Sequence, residues 1–370
     1  MSFIILNLKK LLKKNKYILF VVLKIIEFLR IIFGLNSRRS LIHKINKKLI
    51  LNNEIKIIKK SKFKKVNIIY DCNASPLTLG DFFNVAMAAR YFQMKGYFIY
   101  FYLIKYDLNK LYLKKNYSRF KIFYLEFEKI LFSLLKKKFF YKKENWVEFK
   151  KRSMDKSLIL FKKRVLNRKY TYGFYFNLLN KLCLNESHLF LNKYLLSRKT
   201  LKFSNKSILP KDKYITIHCR HNIRQITKKD NRNLKSKEYI KIVSLLKKKF
   251  KNYNLIIVSD KIGCKYFKKI SVKNNLKVKF SKNFTNSFMD DGVLVLNSKY
   301  YFQLWSGGIC VFTYYSKIPY LRCTTSLHNE IPYKRNQLAV WHGKKNFIIE
   351  NDKRNFKEFL HKIKEIKINE

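Results

Sequence analysis

The chain has 370 residues, enough for two domains with a short extension, and its apolar (47%) and aromatic (16%) residues exclude a disordered protein. With 82 basic and 23 acidic residues the formal net charge is +59, which favours an anionic membrane, a phosphorylated ligand or nucleic acid. Most basic residues are lysines that accompany abundant Asn, Ile, Phe and Tyr, so we interpret the charge mainly as a general compositional bias. The six cysteines have no CxxC or CxxH spacing, which argues against a zinc ribbon or a disulfide scaffold and predicts reduced thiols in the cytoplasm.

The most apolar segment lies near the N-terminus, at residues 16–35. Lys24, Glu27 and Arg30 interrupt it, and each charge at mid-bilayer costs roughly 2.5–3.5 kcal/mol. On a helix these residues follow one side, so we expect an amphipathic helix in the membrane interface. A signal anchor and a helix packed on its own domain remain alternatives.

A first strand–helix–strand unit follows a lysine- and asparagine-rich connector. Residues 65–71 are predicted to form a buried strand. Thr78 and Asp81 have the spacing of a capping box that opens a helix, and Gly96 is a suitable residue to end it. Residues 97–104 are predicted as the second strand, and residues 116–196 as mainly helical.

A second strand–helix series begins after the polar segment 197–213, which is the best candidate for an interdomain linker. Its regular alternation predicts a parallel sheet with helices on both faces. The fold class is therefore α/β, with two Rossmann-like domains and an N-terminal amphipathic or membrane-attached helix. The predicted divisions are a membrane-proximal helix and connector (1–60), an acceptor-side domain (61–205), a nucleotide-sugar domain (206–350) and a closing helix (351–370).

The predicted elements of this second series are short and closely spaced. Strands are expected at 214–218, 254–260, 276–280, 300–304 and 318–323, helices at 237–250, 263–270 and 352–366, and a short helix after the turn at 305–308.

Loops at the carboxyl ends of parallel strands are the expected ligand site, because helix N-termini there offer free backbone N–H groups. The loop that begins at His218 contains Arg220, Arg224 and Arg232 in a chain that otherwise prefers lysine. Arginine binds phosphate bidentately, a geometry that lysine lacks. The alternative is an ordinary solvated basic loop.

Two further loops occupy equivalent positions. Ser259 and Asp260 end a strand and precede a helix, so they either cap that helix or hold a ribose or base. Ser306, Gly307 and Gly308 open a short helix, and paired glycines let the backbone approach an anion closely. A plain tight turn is the alternative.

Together these three loops resemble the C-terminal domain of GT-B glycosyltransferases over roughly residues 213–325. His218-x-Arg220 is similar to the H-x-R element of fucosyltransferase-like members, and residues 305–321 are similar to the glycine-containing segment beneath the donor diphosphate. The resemblance implies that Arg220 and Arg232 neutralise the diphosphate, with the backbone amides of 306–308 completing the cradle. It implies no metal and no cofactor beyond the nucleotide-sugar co-substrate, and no DxD motif is present in the sequence.

The resulting hypothesis is a glycosyltransferase, peripheral or monotopic at the inner face of the cell membrane, that transfers sugar to a cell-surface glycan or lipid-linked acceptor. The acceptor would bind against the loop 71–81, with Asp81 as candidate general base, although capping of its helix is the competing role. A sugar-nucleotide epimerase of the same fold is one alternative. A nucleic-acid-binding protein is another, but the aromatic residues mostly follow core spacing rather than alternating with lysines on one surface, so nucleic acid is not an expected partner.

Overall fold

The computed structural model describes residues 64–72, 78–106, 117–151, 175, 178–179, 182–183, 186–197, 200–201, 208–221, 233–304, 307–324, 347–350 and 356–366. The chain divides into two compact units, Met1–Lys56 and Ile57–Glu370, and every described residue belongs to the second. The predicted N-terminal helix at 16–35 lies outside the described residues. Of the helices that are described, none is long and apolar enough to cross a membrane.

Within the described ranges, the first sheet has three parallel strands in the order β1 (Lys65–Asp71), β2 (Phe98–Ile104) and β3 (Phe140–Glu144). Helix α1 (Leu79–Met94) connects β1 to β2, and α2 (Tyr117–Leu134) lies between β2 and β3. The first strand–helix–strand prediction is thereby confirmed.

Helix α1 begins and ends where its sequence predicts. The Thr78 hydroxyl accepts a hydrogen bond from the Asp81 backbone N–H at 3.3 Å, and Gly96 follows the helix at φ +84°, a conformation that glycine adopts without strain. Phe82 stacks on Phe127 of α2 with 4.2 Å between ring centroids, and both side chains are fully buried. The helix therefore joins the core of the first sheet at its N-terminal turn.

The segment predicted as mainly helical, 116–196, contains a strand as well as helices. The prediction missed β3 because three of its five residues are lysine or glutamate, so the strand has no apolar alternation. It forms the edge of the first sheet, where lysines are common because they discourage pairing with other chains. Short helices α3 (Trp146–Lys151) and α4 (His188–Tyr194) follow it.

In the part of the chain that the structure describes, the second sheet has six strands, all parallel, in the spatial order β6-β5-β4-β7-β8-β9. Counted from β4 this is the order 3-2-1-4-5-6 of the Rossmann fold. The strands are β4 (Tyr214–His218), β5 (Asn254–Val258), β6 (Lys279–Phe280), β7 (Tyr301–Gln303), β8 (Tyr320–Thr324) and β9 (Phe347–Glu350). The helices are α5 (Ser236–Lys249), α6 (Lys261–Lys273), α7 (Phe288–Leu296), α8 (Val311–Tyr314) and α9 (Phe356–Glu365).

The two faces of this sheet differ in chemistry. On one face, alternate strand residues form an apolar cluster with α5, α6 and α9; its strand members include Ile215, Ile217, Ile257, Phe302 and Leu321. On the other face the intervening residues of β4, β7 and β8 are polar or tyrosine, whereas β5 contributes Ile256 and Val258. The Tyr214 hydroxyl donates to the Leu294 carbonyl oxygen of α7 at 2.9 Å, and Thr216 lies 3.0 Å from Ser298, hydroxyl to hydroxyl. Helices thus cover both faces, as the alternating pattern predicts.

The two sheets meet where α1 packs against α8. Phe83 and Phe312 are 4.6 Å apart between ring centroids, and the Tyr315 hydroxyl donates to Asn84 Oδ1 at 2.9 Å. All four side chains are fully buried. This junction brings the first turn of α1 to the carboxyl-end side of β7.

Candidate functional site

The order of the strands predicts a crevice at the carboxyl ends of the neighbouring strands β4 and β7. The chain proceeds from β4 outwards to β5 and β6 with its helices on the apolar face, then returns beside β4 to form β7 with its helices on the polar face. Where the winding direction reverses, the flanking loops separate at the carboxyl ends of the strands. We call this the switch-point crevice, bounded by His218, Gln303 and Gly307.

His218 lies directly against Gly307. A Cβ atom built on Gly307 would be 2.3 Å from Cε1 of His218, so any other residue at 307 would displace the imidazole. Burial, together with the nearby positive charges of Arg220 and Arg322, lowers the pKa of His218 to about 3, so the ring is neutral at physiological pH. None of the described residues forms a hydrogen bond with its buried Nδ1.

A row of polar side chains extends from His218 across the sheet. His218 pairs with Gln303 on β7, and Gln303 pairs with Arg322 on β8, so the three project from the same face. The Tyr301 hydroxyl donates to Gln303 Oε1 at 2.5 Å. Arg322 is only 2% exposed, and its guanidinium lies 5.2 Å from the centroid of the Tyr314 ring. The row places a buried cation near the crevice.

Sequence reasoning missed Gln303 and Arg322. The signal for Arg322 was present, since it is an arginine within a predicted apolar strand in a chain that prefers lysine. The alignment of Gln303 with His218 depends on strand register, which sequence periodicity leaves undetermined for parallel strands.

Arg220 starts the predicted arginine loop, two residues beyond His218. Its carbonyl oxygen accepts a hydrogen bond from Leu234 N–H at 3.0 Å, so the loop leaves and returns at one point beside β4. The next residue, His221, stacks on Tyr266 of α6 with 3.7 Å between ring centroids and 7° between ring planes. Arg220 is thereby held next to the crevice, whereas Arg224 and Arg232 lie outside the described residues.

The glycine turn is constrained by packing on both sides. Gly307 is extended, at φ −164°, and precedes a 3₁₀ turn (Gly308–Cys310) that leads into α8, which confirms the predicted short helix. Across the junction, a Cβ built on Gly80 would be 2.8 Å from Gly308 Cα, so two backbones touch there. Close packing thus accounts for glycine at 307 and at 80. Anion binding by 306–308 stays a prediction, and Ser306 lies outside the described residues.

Ser259 and Asp260 lie at the end of β5, beside β4, as predicted. The Ser259 hydroxyl donates to the Cys219 carbonyl oxygen at 2.6 Å and is buried. The Asp260 carboxylate accepts from Gly263 N–H at 2.7 Å, which makes it the N-cap of α6. The capping alternative is therefore confirmed for Asp260, and contact with a ribose or base is untested.

Asp81 lies in the first turn of α1, at the junction between the sheets. Its Oδ2 accepts a hydrogen bond of 2.5 Å from the hydroxyl of Thr78, and Thr78 is the N-cap of the helix, so Asp81 holds the capping hydroxyl in place. Burial raises the pKa of Cys310, Arg322 opposes the rise and the Asp81 carboxylate adds to it, so Asp81 and Arg322 both act electrostatically on the turn after Gly307. The loop residues 73–77, predicted to contact an acceptor, lie outside the described residues.

Within the described ranges, no group of three or more His, Cys, Asp or Glu side chains is arranged to hold a metal ion. The five cysteines whose side chains are described are all buried and free. Among the described residues, the side chains near the crevice that can donate to an anion are those of His218, Gln303, Arg220 and Arg322, and the Asp81 carboxylate lies on the α1 side.

Comparisons with known proteins give a fold-level likeness. No protein-family model and no curated protein sequence matches the chain. Among solved structures it is similar to the crystal structure of the glycosyl transferase family 9 from Veillonella parvula DSM 2008, with a TM-score of 0.44 and 7% identity. The likeness covers 84% of this chain and 92% of that one. With so low a sequence identity and TM-score, the likeness assigns neither a family nor an activity.

Proposed function

We propose that this protein is a glycosyltransferase that transfers a sugar from a nucleotide-sugar donor to a glycan or lipid-linked acceptor. The observation that supports it is that Arg220, His218 and the glycine turn come together at the reversal of a Rossmann-type strand order, where the switch-point crevice is predicted. Nucleotides bind at this place in open parallel sheets, because loops separate there and helix N-termini face the ligand.

The donor's diphosphate would occupy the crevice beside Arg220. As the bond from the sugar to the diphosphate breaks, negative charge grows on the leaving phosphate oxygens. The Arg220 guanidinium can bind two of them, and the buried charge of Arg322 adds a favourable field. A neutral His218 offers an N–H without a second titrating charge. Arg224, Arg232 and the 306–308 amides complete the proposed cradle, with no metal in this scheme.

The acceptor would bind on the α1 side, with Asp81 taking the proton of its attacking hydroxyl. Asp81 lies close enough to the glycine turn to affect the pKa of Cys310, which places a carboxylate beside the crevice. Because the Thr78 hydroxyl already donates to Asp81, an acceptor hydroxyl would compete with that bond.

Ligand-induced stabilisation tests the donor class. UDP-, GDP- or CMP-sugars, or the free nucleoside diphosphates, should raise the melting temperature at millimolar concentration, because a ligand that binds only the folded state stabilises it. Duplex DNA is the control. Stabilisation by DNA together with no response to any nucleotide would reject the proposal in favour of nucleic-acid binding.

A nucleotide-sugar that raises the melting temperature is then incubated with the protein, both with and without membrane extract. Transfer of labelled sugar to extractable lipid or glycan supports the transferase, whereas isomerisation of the free donor sugar would assign the epimerase alternative.

We place the protein at the inner face of the cell membrane. This part of the proposal rests on the amphipathic pattern of residues 16–35 and the net charge of +59, which favours acidic phospholipids.

A further inference from the structure

Helix α2 exposes an apolar stripe. Ile122, Leu125 and Phe132 are 62%, 49% and 56% exposed, and with Lys129 they fall on one side of the helix, three, four and three residues apart. Phe132 also contacts Phe139 and Tyr141, at 5.6 and 5.8 Å between ring centroids. The stripe is thus continuous with aromatic residues at the end of the helix.

The opposite side of α2 is buried and forms part of the hydrophobic core. Phe127, Ile130, Leu131 and Leu134 are fully buried. A helix that covers one sheet needs one apolar side, and the other is normally polar. Single exposed apolar residues need no explanation, but a continuous exposed stripe indicates an interaction surface.

Lysines lie within this stripe and at its C-terminal end. Lys136, Lys137 and Lys138 are exposed just beyond the helix. The acidic residues of α2 are matched by lysines, with Glu126 2.7 Å from Lys129 and Glu128 2.7 Å from Lys143, nitrogen to oxygen. The surface therefore carries a net positive charge.

The exposed apolar residues and the lysines together favour an anionic lipid bilayer over nucleic acid as the partner of this surface. Nucleic acid would use exposed rings on which bases stack, but two of the three stripe residues, Ile122 and Leu125, are aliphatic. An anionic lipid bilayer takes aliphatic and aromatic side chains between its headgroups, while lysines contact the phosphates.

We propose that the α2 surface, formed by Ile122, Leu125, Lys129, Phe132 and Lys136–138, docks on an anionic lipid membrane. It is separate from residues 16–35, and it is argued independently of the sugar-nucleotide proposal.

One end of the α2 surface lies at the carboxyl-end edge of the first sheet. The Tyr124 hydroxyl accepts a hydrogen bond from Tyr106 N–H at 2.8 Å, just beyond the carboxyl end of β2. The Ile122 end of the stripe therefore lies at the sheet edge on which ligand loops open. A membrane on this surface would deliver a lipid-linked substrate to that edge.

Vesicle partition of the full-length chain tests the proposal. Leu125→Ser with Phe132→Ser should lower partition onto vesicles containing phosphatidylglycerol about tenfold, because two large side chains no longer enter the interface. The matched control is Ile262→Ser with Val272→Ser on α6, where the wild-type residues are 56% and 71% exposed. That pair should leave partition nearly unchanged, because isolated exposed apolar residues do not form an interaction surface.

A second measurement reports α2 even if residues 16–35 hold the protein on vesicles. An environment-sensitive fluorophore on Leu125→Cys should shift to the blue with anionic vesicles and be quenched by lipid-borne quenchers, whereas one on Ile262→Cys should not. The described native cysteines are buried, which favours selective labelling. Equal spectra at both sites, or a shift at Leu125→Cys with DNA and none with vesicles, would overturn the proposal. No sugar nucleotide is present, so the outcome is independent of the donor test.

Discussion

A substitution at Arg220 can separate the effect of its positive charge from the effect of its guanidinium geometry. Arg220→Lys keeps the positive charge beside His218 but loses the bidentate fork, so donor binding should weaken by about 1–3 kcal/mol with little change in folding. Isothermal titration with the donor identified by thermal shift measures this. Lys248→Ala, on the exposed side of α5, is the control and should bind as wild type does. Wild-type affinity in Arg220→Lys would remove Arg220 from the site.

His218 should make the stability of the protein depend on pH. Its pKa is lowered to about 3, so below the ordinary value of 6.5 the unfolded chain binds a proton that the folded protein does not. Stability should therefore fall as the pH falls below about 6.5, by roughly 2 kcal/mol at pH 5 at 1.36 kcal/mol per pKa unit.

His218→Gln removes this titration and is the comparison for the pH dependence. Urea unfolding gives the free energy of unfolding of wild type and variant at pH 7.5 and at pH 5. The advantage of the wild type over the variant should be smaller at pH 5 than at pH 7.5. Parallel pH profiles would show that His218 titrates normally.

Gly80 and Gly308, at the α1–α8 junction, should differ in how well they tolerate substitution by alanine. A Cβ on Gly80 meets the Cα and carbonyl oxygen of Gly308 at 2.8 and 2.9 Å, whereas a Cβ on Gly308 meets nothing nearer than 3.2 Å. Gly80→Ala should thus lower the unfolding free energy by about 1–3 kcal/mol, despite the higher helix propensity of alanine, because backbone atoms must move. Gly308→Ala should cost clearly less. Equal costs in denaturant titrations would mean that the two backbones separate easily.

Elements with a strong pattern were predictable from sequence, and those without one were not. The amphipathic α5 and the buried β4 and β5 were predicted within a few residues, because their apolar spacing matches their burial. β3 was missed because its residues are largely charged, and β9 was not assigned at all. The sequence pattern assigns no element to residues 290–298, most of which belong to α7, where Asp290 and Asp291 are buried.

The sequence predicts where the candidate site lies in the fold better than it predicts which residues form the site. Alternation of strands and helices implies that the loops after β4 and β7 share an edge, and the structure places His218 against Gly307 across 89 positions of sequence. Arg322 and Gln303 depend on register and on which face of the sheet is polar, both of which arise from packing that sequence periodicity does not encode.

For the whole chain, the N-terminal segment and the α2 surface should make separable contributions to membrane binding. Deletion of residues 1–35 should leave the unit Ile57–Glu370 folded, because the chain divides at 56–57. Binding to anionic vesicles should become weaker and strongly salt-dependent, since electrostatic attraction of lysines is screened within about 8–10 Å at physiological salt. Circular dichroism and flotation at low and high salt measure the two effects. Salt-resistant binding of the truncated chain would contradict this division.

The contact between Gly80 and Gly308 has a mechanical consequence. With no side chain between the two backbones, a displacement of the turn beside His218 passes to the first turn of α1 without a flexible group to absorb it. Asp81 lies in that turn, so an occupant of the switch-point crevice and an occupant beside Asp81 share one rigid contact. Whatever free energy couples the two occupants acts in both directions, and each must alter the affinity for the other by the same factor.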